Sequence, residues 1–206
     1  MPWSLGVPRI MPRGGATEQG PPASVVLISG VVGAKAAYGC GVIIGEDRST
    51  VTILTAAHTL QIQRATFTTV AGERLRVERT AAIDGHDLAL VTASRPWRPH
   101  TVARFAGEPR VGLRVSVWGP IEDEPFTQQD GVVREMDPRV TDPPAGAFAI
   151  DCASCGHGDS GTGVFNAREE LVGIVVAGYS AGHRKLFVLA ERYRPDATLA
   201  AAPDAP

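Results

Sequence analysis

The chain has 206 residues, 44% of them hydrophobic, and its 20 Lys+Arg against 22 Asp+Glu leave a formal net charge of −2. That length holds one large domain or two small ones, and a chain this apolar and this close to neutrality is not intrinsically disordered. The same balance excludes a global electrostatic pull toward nucleic acid or an anionic membrane, and no run approaches the ~18 apolar residues of a membrane-spanning helix.

Residues 1–21 are rich in proline and glycine and lack apolar periodicity, so they read as a flexible arm. They contain no basic leader followed by an apolar run, which makes a cytoplasmic product the default expectation, with export left open. Short β-type runs follow, bounded by Gly, Asp, Pro and Asn: Ala23–Val32, Ala36–Ile44, Thr50–Thr55, Arg74–Ala82 and Asp87–Thr92. Ala56–Leu60 reads as one helical turn. After the proline-rich stretch Arg95-Pro96-Trp97-Arg98-Pro99, a natural connection between two halves, come Arg110–Trp118, Gly131–Met136, Ala147–Asp151, Gly163–Phe165, Leu171–Ala177 and Lys185–Leu189. In Arg110–Trp118, Val111, Leu113, Val115 and Val117 alternate as a half-buried strand requires. Leu171–Ala177 is nearly all apolar and predicts an interior strand covered on both sides. Strands at this spacing with turn residues between them predict an all-β barrel or sandwich. The Ala/Pro/Asp-rich end, 194–206, reads as a frayed tail.

Three segments carry chemistry: Ile53-Leu54-Thr55-Ala56-Ala57-His58, then His86-Asp87-Leu88-Ala89-Leu90-Val91, then Gly156-His157-Gly158-Asp159-Ser160-Gly161-Thr162-Gly163. Alone, a serine in a glycine-rich turn is ordinarily a turn former. Together the three supply the parts of a nucleophilic site. A serine hydroxyl is a weak nucleophile until an adjacent base takes its proton. Histidine, with an ordinary pKa of ~6.5, is a natural base, and a carboxylate fixes its tautomer and stabilises the imidazolium. Glycines at 158 and 161 allow the sharp turn in which the N–H groups of Gly158 and Ser160 converge on a developing oxyanion. Asp87, in its Leu-Ala-Leu context, is the favoured acid; Asp84 is the rival.

Thr55-Ala56-Ala57-His58, Asp87-Leu88-Ala89-Leu90 and Gly158-Asp159-Ser160-Gly161, in the chain order His, Asp, Ser, resemble the trypsin-like (chymotrypsin-fold) serine peptidases. Gly41-Val42-Ile43-Ile44 resembles the strand feeding the histidine hairpin. Val111-Gly112-Leu113-Arg114-Val115 with Gly119-Pro120 resembles the opening strand of a second barrel, and Gly173-Ile174-Val175 the strand that pairs with substrate. The resemblance spans about residues 22–192 and is closest to compact bacterial, HtrA-like peptidase domains. It implies two six-stranded antiparallel β-barrels, about 22–104 and 105–193, with the site in the cleft between them. It also implies peptide-bond hydrolysis of a polypeptide substrate through an acyl-enzyme, with His58 as base and acid, Asp87 as orienter and Ser160 as nucleophile, and no metal or organic cofactor. The alternative is a catalytically inactive peptidase-like binding or scaffold protein.

The chain departs from the family pattern in two places. The usual Ile-Val-Gly-Gly start that inserts beside the aspartate before the serine, Asp159 here, is not found, since Arg9-Ile10 runs into Met11-Pro12. The resemblance to compact bacterial relatives implies an internal arginine as the partner of Asp159; Arg134, on the Gly131–Met136 strand, is the candidate, with a surface ion pair as its alternative role. The cysteines number three, so one bridge at most forms and a thiol is left over. Cys40 has no cysteine after His58 to pair with. Cys152, Cys155 and His157 spell Cys-x-x-Cys-x-His, a zinc-ligand spacing; small buried thiols are the favoured reading. Six residues before Ser160 stands Ser154, where relatives that cut after Arg or Lys carry an acid, so cutting after basic side chains is disfavoured. Val176, Ala177 and Gly178 are expected to form the pocket wall and to offer β-type pairing, with His157 beside them. A small or apolar side-chain preference is the expectation.

Overall fold

The computed structural model describes residues 20–121, 124–136, 138, 146–156, 158–180 and 186–193. Most of the expected arm and all of the expected tail lie outside these residues. Seven strands precede residue 95: β1 (Val25–Val32), β2 (Lys35–Glu46), β3 (Thr50–Ala56), β4 (Gln63–Thr69), β5 (Arg74–Leu75), β6 (Val77–Ala82) and β7 (Leu88–Ser94). They form one sheet in the order β5-β4-β1-β2-β3-β7-β6. Its edge strands β5 and β6 are consecutive in the chain, with Arg76 alone between them. The sheet therefore curls until its edges meet, and β5–β6 acts as one bent strand. Arg76 is tied to β7 in both directions: its N–H donates to Ser94 Oγ at 2.9 Å and its carbonyl accepts from Ser94 N–H at 2.8 Å.

The second half closes fully. β8 (Arg114–Ile121), β9 (Glu124–Met136), β10 (Ala147–Asp151), β11 (Gly163–Phe165), β12 (Leu171–Ser180) and β13 (Leu186–Glu191) form a barrel in the order β10-β13-β12-β11-β8-β9. The chain is thus all-β, and among the described residues its one helical element is the 3-10 turn Ala57–Gln61.

The apolar patterning explains this arrangement. Val26, Ile28, Ile43, Val51, Ile53 and Val91 alternate inward and fill the first barrel. Their neighbours Val25, Val42, Leu54 and Leu88 point the other way, yet they are equally buried, because they pack on Trp118, Phe165, Leu171, Ile174 and Val176 of the second half. Covering both faces is why β2 and β3 read as continuous apolar runs. Burying one such side chain contributes ~1.5–3 kcal/mol, so this seam holds the halves in one relative position. Main-chain bonds add to it: Leu171 donates to Arg104 O at 2.7 Å, and Ala106 to Leu171 O at 2.8 Å.

Three expectations need correction. β4 has no counterpart in the sequence reading, because Gln63–Thr69 carries one large apolar residue, Phe67, and is made a strand by pairing with β1 (Ile28 opposite Phe67). Arg74–Ala82 is two strands rather than one, bent at Arg76. Val111 and Leu113 precede β8: Val111 is 61% exposed, and a turn at Gly112 (φ 87°) breaks the alternation that Val115 and Val117 obey.

Candidate active site

β3 and β7 pair with Ala56 opposite Leu88, and this register brings together the residues just beyond each end. Ala57 N–H donates to the Asp87 carbonyl at 2.9 Å. His58 N–H donates to Asp87 Oδ1 at 3.0 Å, and His58 Nδ1 meets Asp87 Oδ2 at 2.6 Å. Residues 29 apart in sequence are thereby locked side by side. Small residues at 56 and 57 let the two strand ends approach this closely. The carboxylate fixes the proton on Nδ1 and leaves Nε2 as the basic atom. His58 and Asp87 are partly open to solvent, at 41% and 35% of their side-chain surface. Asp84 lies exposed in the preceding turn and takes no part in holding His58.

The Ser160 loop belongs to the second barrel but is tied to the first. Ser160 O accepts from Cys40 N–H at 2.8 Å on β2. The Cys40 carbonyl accepts from the buried Thr55 hydroxyl at 2.6 Å. Thr55 Oγ1 lies 3.0 Å from Thr59 Oγ1, and Thr59 donates to Ala56 O at 2.7 Å. One run of polar contacts thus connects the serine turn to the turn that carries His58. Gly161 has φ 84°, and a Cβ there would collide with Cys40 O and Thr55 Oγ1, so only glycine fits. Gly158 has φ 103°. The N–H groups of Gly158 and Ser160 take no acceptor among the described residues. Among those residues Ser160 Oγ makes no hydrogen bond to His58. Such bonds are commonly long without substrate and tighten when it binds.

Asp159 does not meet Arg134. It is 1% exposed, and its partners are Gln129 Nε2, donating to Oδ1 at 2.9 Å, and Gly156 N–H, donating to Oδ2 at 2.7 Å. Arg134 pairs with Asp151 at 3.2 Å, because it stands on the outward face of β9 while Gln129 points inward. Burial pushes the Asp159 carboxyl above the ordinary carboxylate range, and its two donors draw it back. A Cβ at Gly119 would collide with Asp159 Oδ1, so β8 leaves a gap that the carboxylate fills.

The cysteine expectation also changes. Cys152 and Cys155 form a disulfide, their spacing of three placing the Cα atoms 5.5 Å apart, within bridging reach. Sulfurs bonded to each other provide no thiolates for zinc. Cys40 is the free cysteine among the described residues; it is fully buried, and burial pushes its thiol up to about 12. It is therefore an inert packing group.

Of the expected substrate residues, Ser154 is exposed on the loop before Ser160, and His157 lies outside the described residues. Gly173–Val175 is interior to the barrel: β12 pairs with β11 up to Ile174 and with β13 from there on. Val175 is held by Thr162 and Gly161 through bonds of 2.9 and 2.7 Å. Among the described residues, β12 beyond Val175 pairs with no strand on its β11 side; Val176 is buried there, and Ala177 and Gly178 are exposed.

Sequence reasoning missed Gln129, Gly119 and Glu191. Gln129 and Glu191 are buried polar residues, at 1% and 0% exposure; Gln129 stands between Gln128 and Asp130, and Glu191 ends an apolar strand where a charged residue ordinarily marks the exit to solvent, so neither stands out locally. Gly119 carried a signal, a glycine interrupting an alternating strand, which marks a close approach.

By sequence, the trypsin-like peptidase domain family matches residues 39–174, well over half of the chain. No curated protein matches. Among solved structures, the active form of the Rv3671c protease from M. tuberculosis superposes with a TM-score of 0.66 at 19% identity, covering 88% of this chain and 89% of that one. The inactive form of Rv3671c gives 0.62 at 21% identity, covering 82% and 81%. The serine endoprotease from Yersinia pestis gives 0.63 at 20% identity, covering 82% of this chain and 58% of its own. At these identities the likeness concerns the fold.

Proposed function

This chain belongs to the trypsin-like peptidase family, and on that premise we propose that it is a serine endopeptidase. The observation that carries the reading is the His58 Nδ1–Asp87 Oδ2 bond of 2.6 Å at the rim of one barrel, joined through Cys40 to the serine loop of the other. A solvated surface histidine needs no such carboxylate; a general base does.

In the proposed reaction Ser160 Oγ attacks the scissile carbonyl carbon while His58 Nε2 takes the hydroxyl proton. The N–H groups of Gly158 and Ser160 stabilise the oxyanion, each donor worth ~3–4 kcal/mol in comparable sites. His58 then gives its proton to the leaving amine, and the acyl-enzyme remains on Ser160. Water, deprotonated by His58, releases the acid and restores the hydroxyl. Asp87 stays ionised throughout and stabilises the imidazolium. The substrate pairs with the edge of β12 at Val176, Ala177 and Gly178, with Ser154 toward its side-chain pocket. No acid stands in that set, which supports small or apolar side chains over basic ones. A disulfide persists in an oxidising compartment, so Cys152–Cys155 weighs against the cytoplasmic default.

Labelling with a fluorophosphonate probe tests the reading. The protein should be modified at Ser160 and Ser160→Ala should not; an unlabelled protein would leave a peptidase fold that binds without turnover.

A further inference from the structure

His86, next to Asp87, has no role in that chemistry, yet its Nδ1 is hydrogen-bonded to Glu191 Oε1 across the boundary between the barrels. His86 stands in the turn leading into β7 of the first barrel, and Glu191 ends β13 of the second. The Glu191 side chain is 0% exposed, whereas the His86 ring is 32% exposed. The carboxylate thus reaches from the interior of one barrel to the rim of the other. Its backbone is held on both sides, opposite Ala147 on β10 and Ile174 on β12. Its other oxygen, Oε2, is buried with no hydrogen-bond partner. Burial raises the Glu191 carboxyl above the ordinary range; His86, and to a lesser degree the nearby Asp87 N–H, draw it back. A buried acid with one oxygen left unpartnered is unfavourable on its own account, and an apolar residue would fill the same volume more favourably.

Asp87 and His58 belong to the first barrel and Ser160 to the second. Their mutual distance therefore depends on how the barrels are docked. Among the described residues, polar ties that span the barrels at the site include Cys40 N–H to Ser160 O, beside the nucleophile, and His86 to Glu191, beside the acid. We infer that Glu191 is a positioning residue: through His86 it anchors the Asp87 turn to the second barrel and so sets the His58 imidazole relative to Ser160. The inference rests on the peptidase reading above. Glu191 touches neither substrate nor reacting atoms and acts through Asp87.

The test is the second-order rate of fluorophosphonate labelling at Ser160 in the full chain. Glu191→Leu removes the bond, while Glu191→Gln keeps an amide oxygen to accept from the imidazole N–H; each is made with and without Asp87→Ala. Misplacing a catalytic group by about 1 Å costs roughly a hundredfold, so Glu191→Leu should label roughly ten- to a hundredfold more slowly, and Glu191→Gln should restore most of the rate. In the Asp87→Ala background neither substitution should slow labelling further. A Glu191→Leu protein that labels at the wild-type rate overturns the inference, as does an equal fold-loss in the Asp87→Ala background. Should Glu191→Leu fail to fold, His86→Phe breaks the same bond from its exposed end and is judged by the same two outcomes. An unlabelled wild type refutes the peptidase reading itself, whereas a labelled wild type with an unaffected variant refutes the clamp alone.

Discussion

Thr55→Val tests whether the buried hydroxyl run from Ser160 to His58 is structural in the way its distances imply. Thr55 is 0% exposed, and its hydroxyl donates to Cys40 O at 2.6 Å with Thr59 Oγ1 3.0 Å away. Valine has nearly the same shape but no donor. Loss of the bond removes ~0.5–1.5 kcal/mol, and a buried group left unsatisfied costs a further ~1–3 kcal/mol. The new methyl would also stand where the hydroxyl now sits, too near a carbonyl oxygen for carbon. A total of about 1.5–4.5 kcal/mol follows, which for a chain of this size lowers the melting temperature by about 3–18 °C. Thr55→Ser is the control, since it keeps the hydroxyl and deletes one methyl at ~0.5–1.5 kcal/mol. Thermal unfolding followed by circular dichroism should rank wild type above Ser above Val, and fluorophosphonate labelling should be slowest in Val. A Val variant that melts at or above Ser would refute the hydrogen-bond argument and leave packing as the whole of Thr55's contribution.

Two further substitutions probe the nucleophile loop. Gly161→Ala combines a left-handed φ of 84° with collisions at Cys40 O and Thr55 Oγ1, and should destabilise by about 2–5 kcal/mol in urea unfolding; a wild-type midpoint would contradict the crowding. Asp159 and Glu191 both have carboxyls raised above the ordinary range by burial. Between the unfolded and the raised folded values the folded protein binds more protons, so their contribution is present at low pH and is lost as pH rises through the folded value. Asp159→Asn removes the Asp159 share while keeping an acceptor for Gly156 N–H, and its stability relative to wild type should increase with pH in melts from about pH 4 upward. A difference that does not change with pH would show that Asp159 carries no raised carboxyl.

Much of the site was legible because the family's chemistry is written in short contiguous motifs. Thr55–His58 and Asp87–Leu90 sit at strand ends and Gly158–Gly161 in the loop before β11, and the strand periods beside them could be read directly. The bond between His58 and Asp87 needed only the β3–β7 register, which the apolar runs on both strands make the favourable one. β4 was not legible, since its strand character comes from β1 beside it rather than from Gln63–Thr69 itself. The partner of Asp159 was misread for a related reason. Arg134 offers the charge that a carboxylate ordinarily attracts, but alternation along β9 points Gln129 inward and Arg134 outward, to Asp151.

Composition and motif order alone therefore determined an all-β chain with a His, Asp and Ser in the order its family uses. Those properties depend on local backbone preference and on residue identity, which each segment carries by itself. Only the tertiary structure decided which polar groups are buried together: Gln129 on Asp159, Glu191 on His86, Thr55 between the two turns, and Cys152 on Cys155. Apart from the covalent bridge between neighbouring cysteines, each of these pairings depends on desolvation, and how far a residue is removed from water is set by the strands that close over it, most of them distant in the chain.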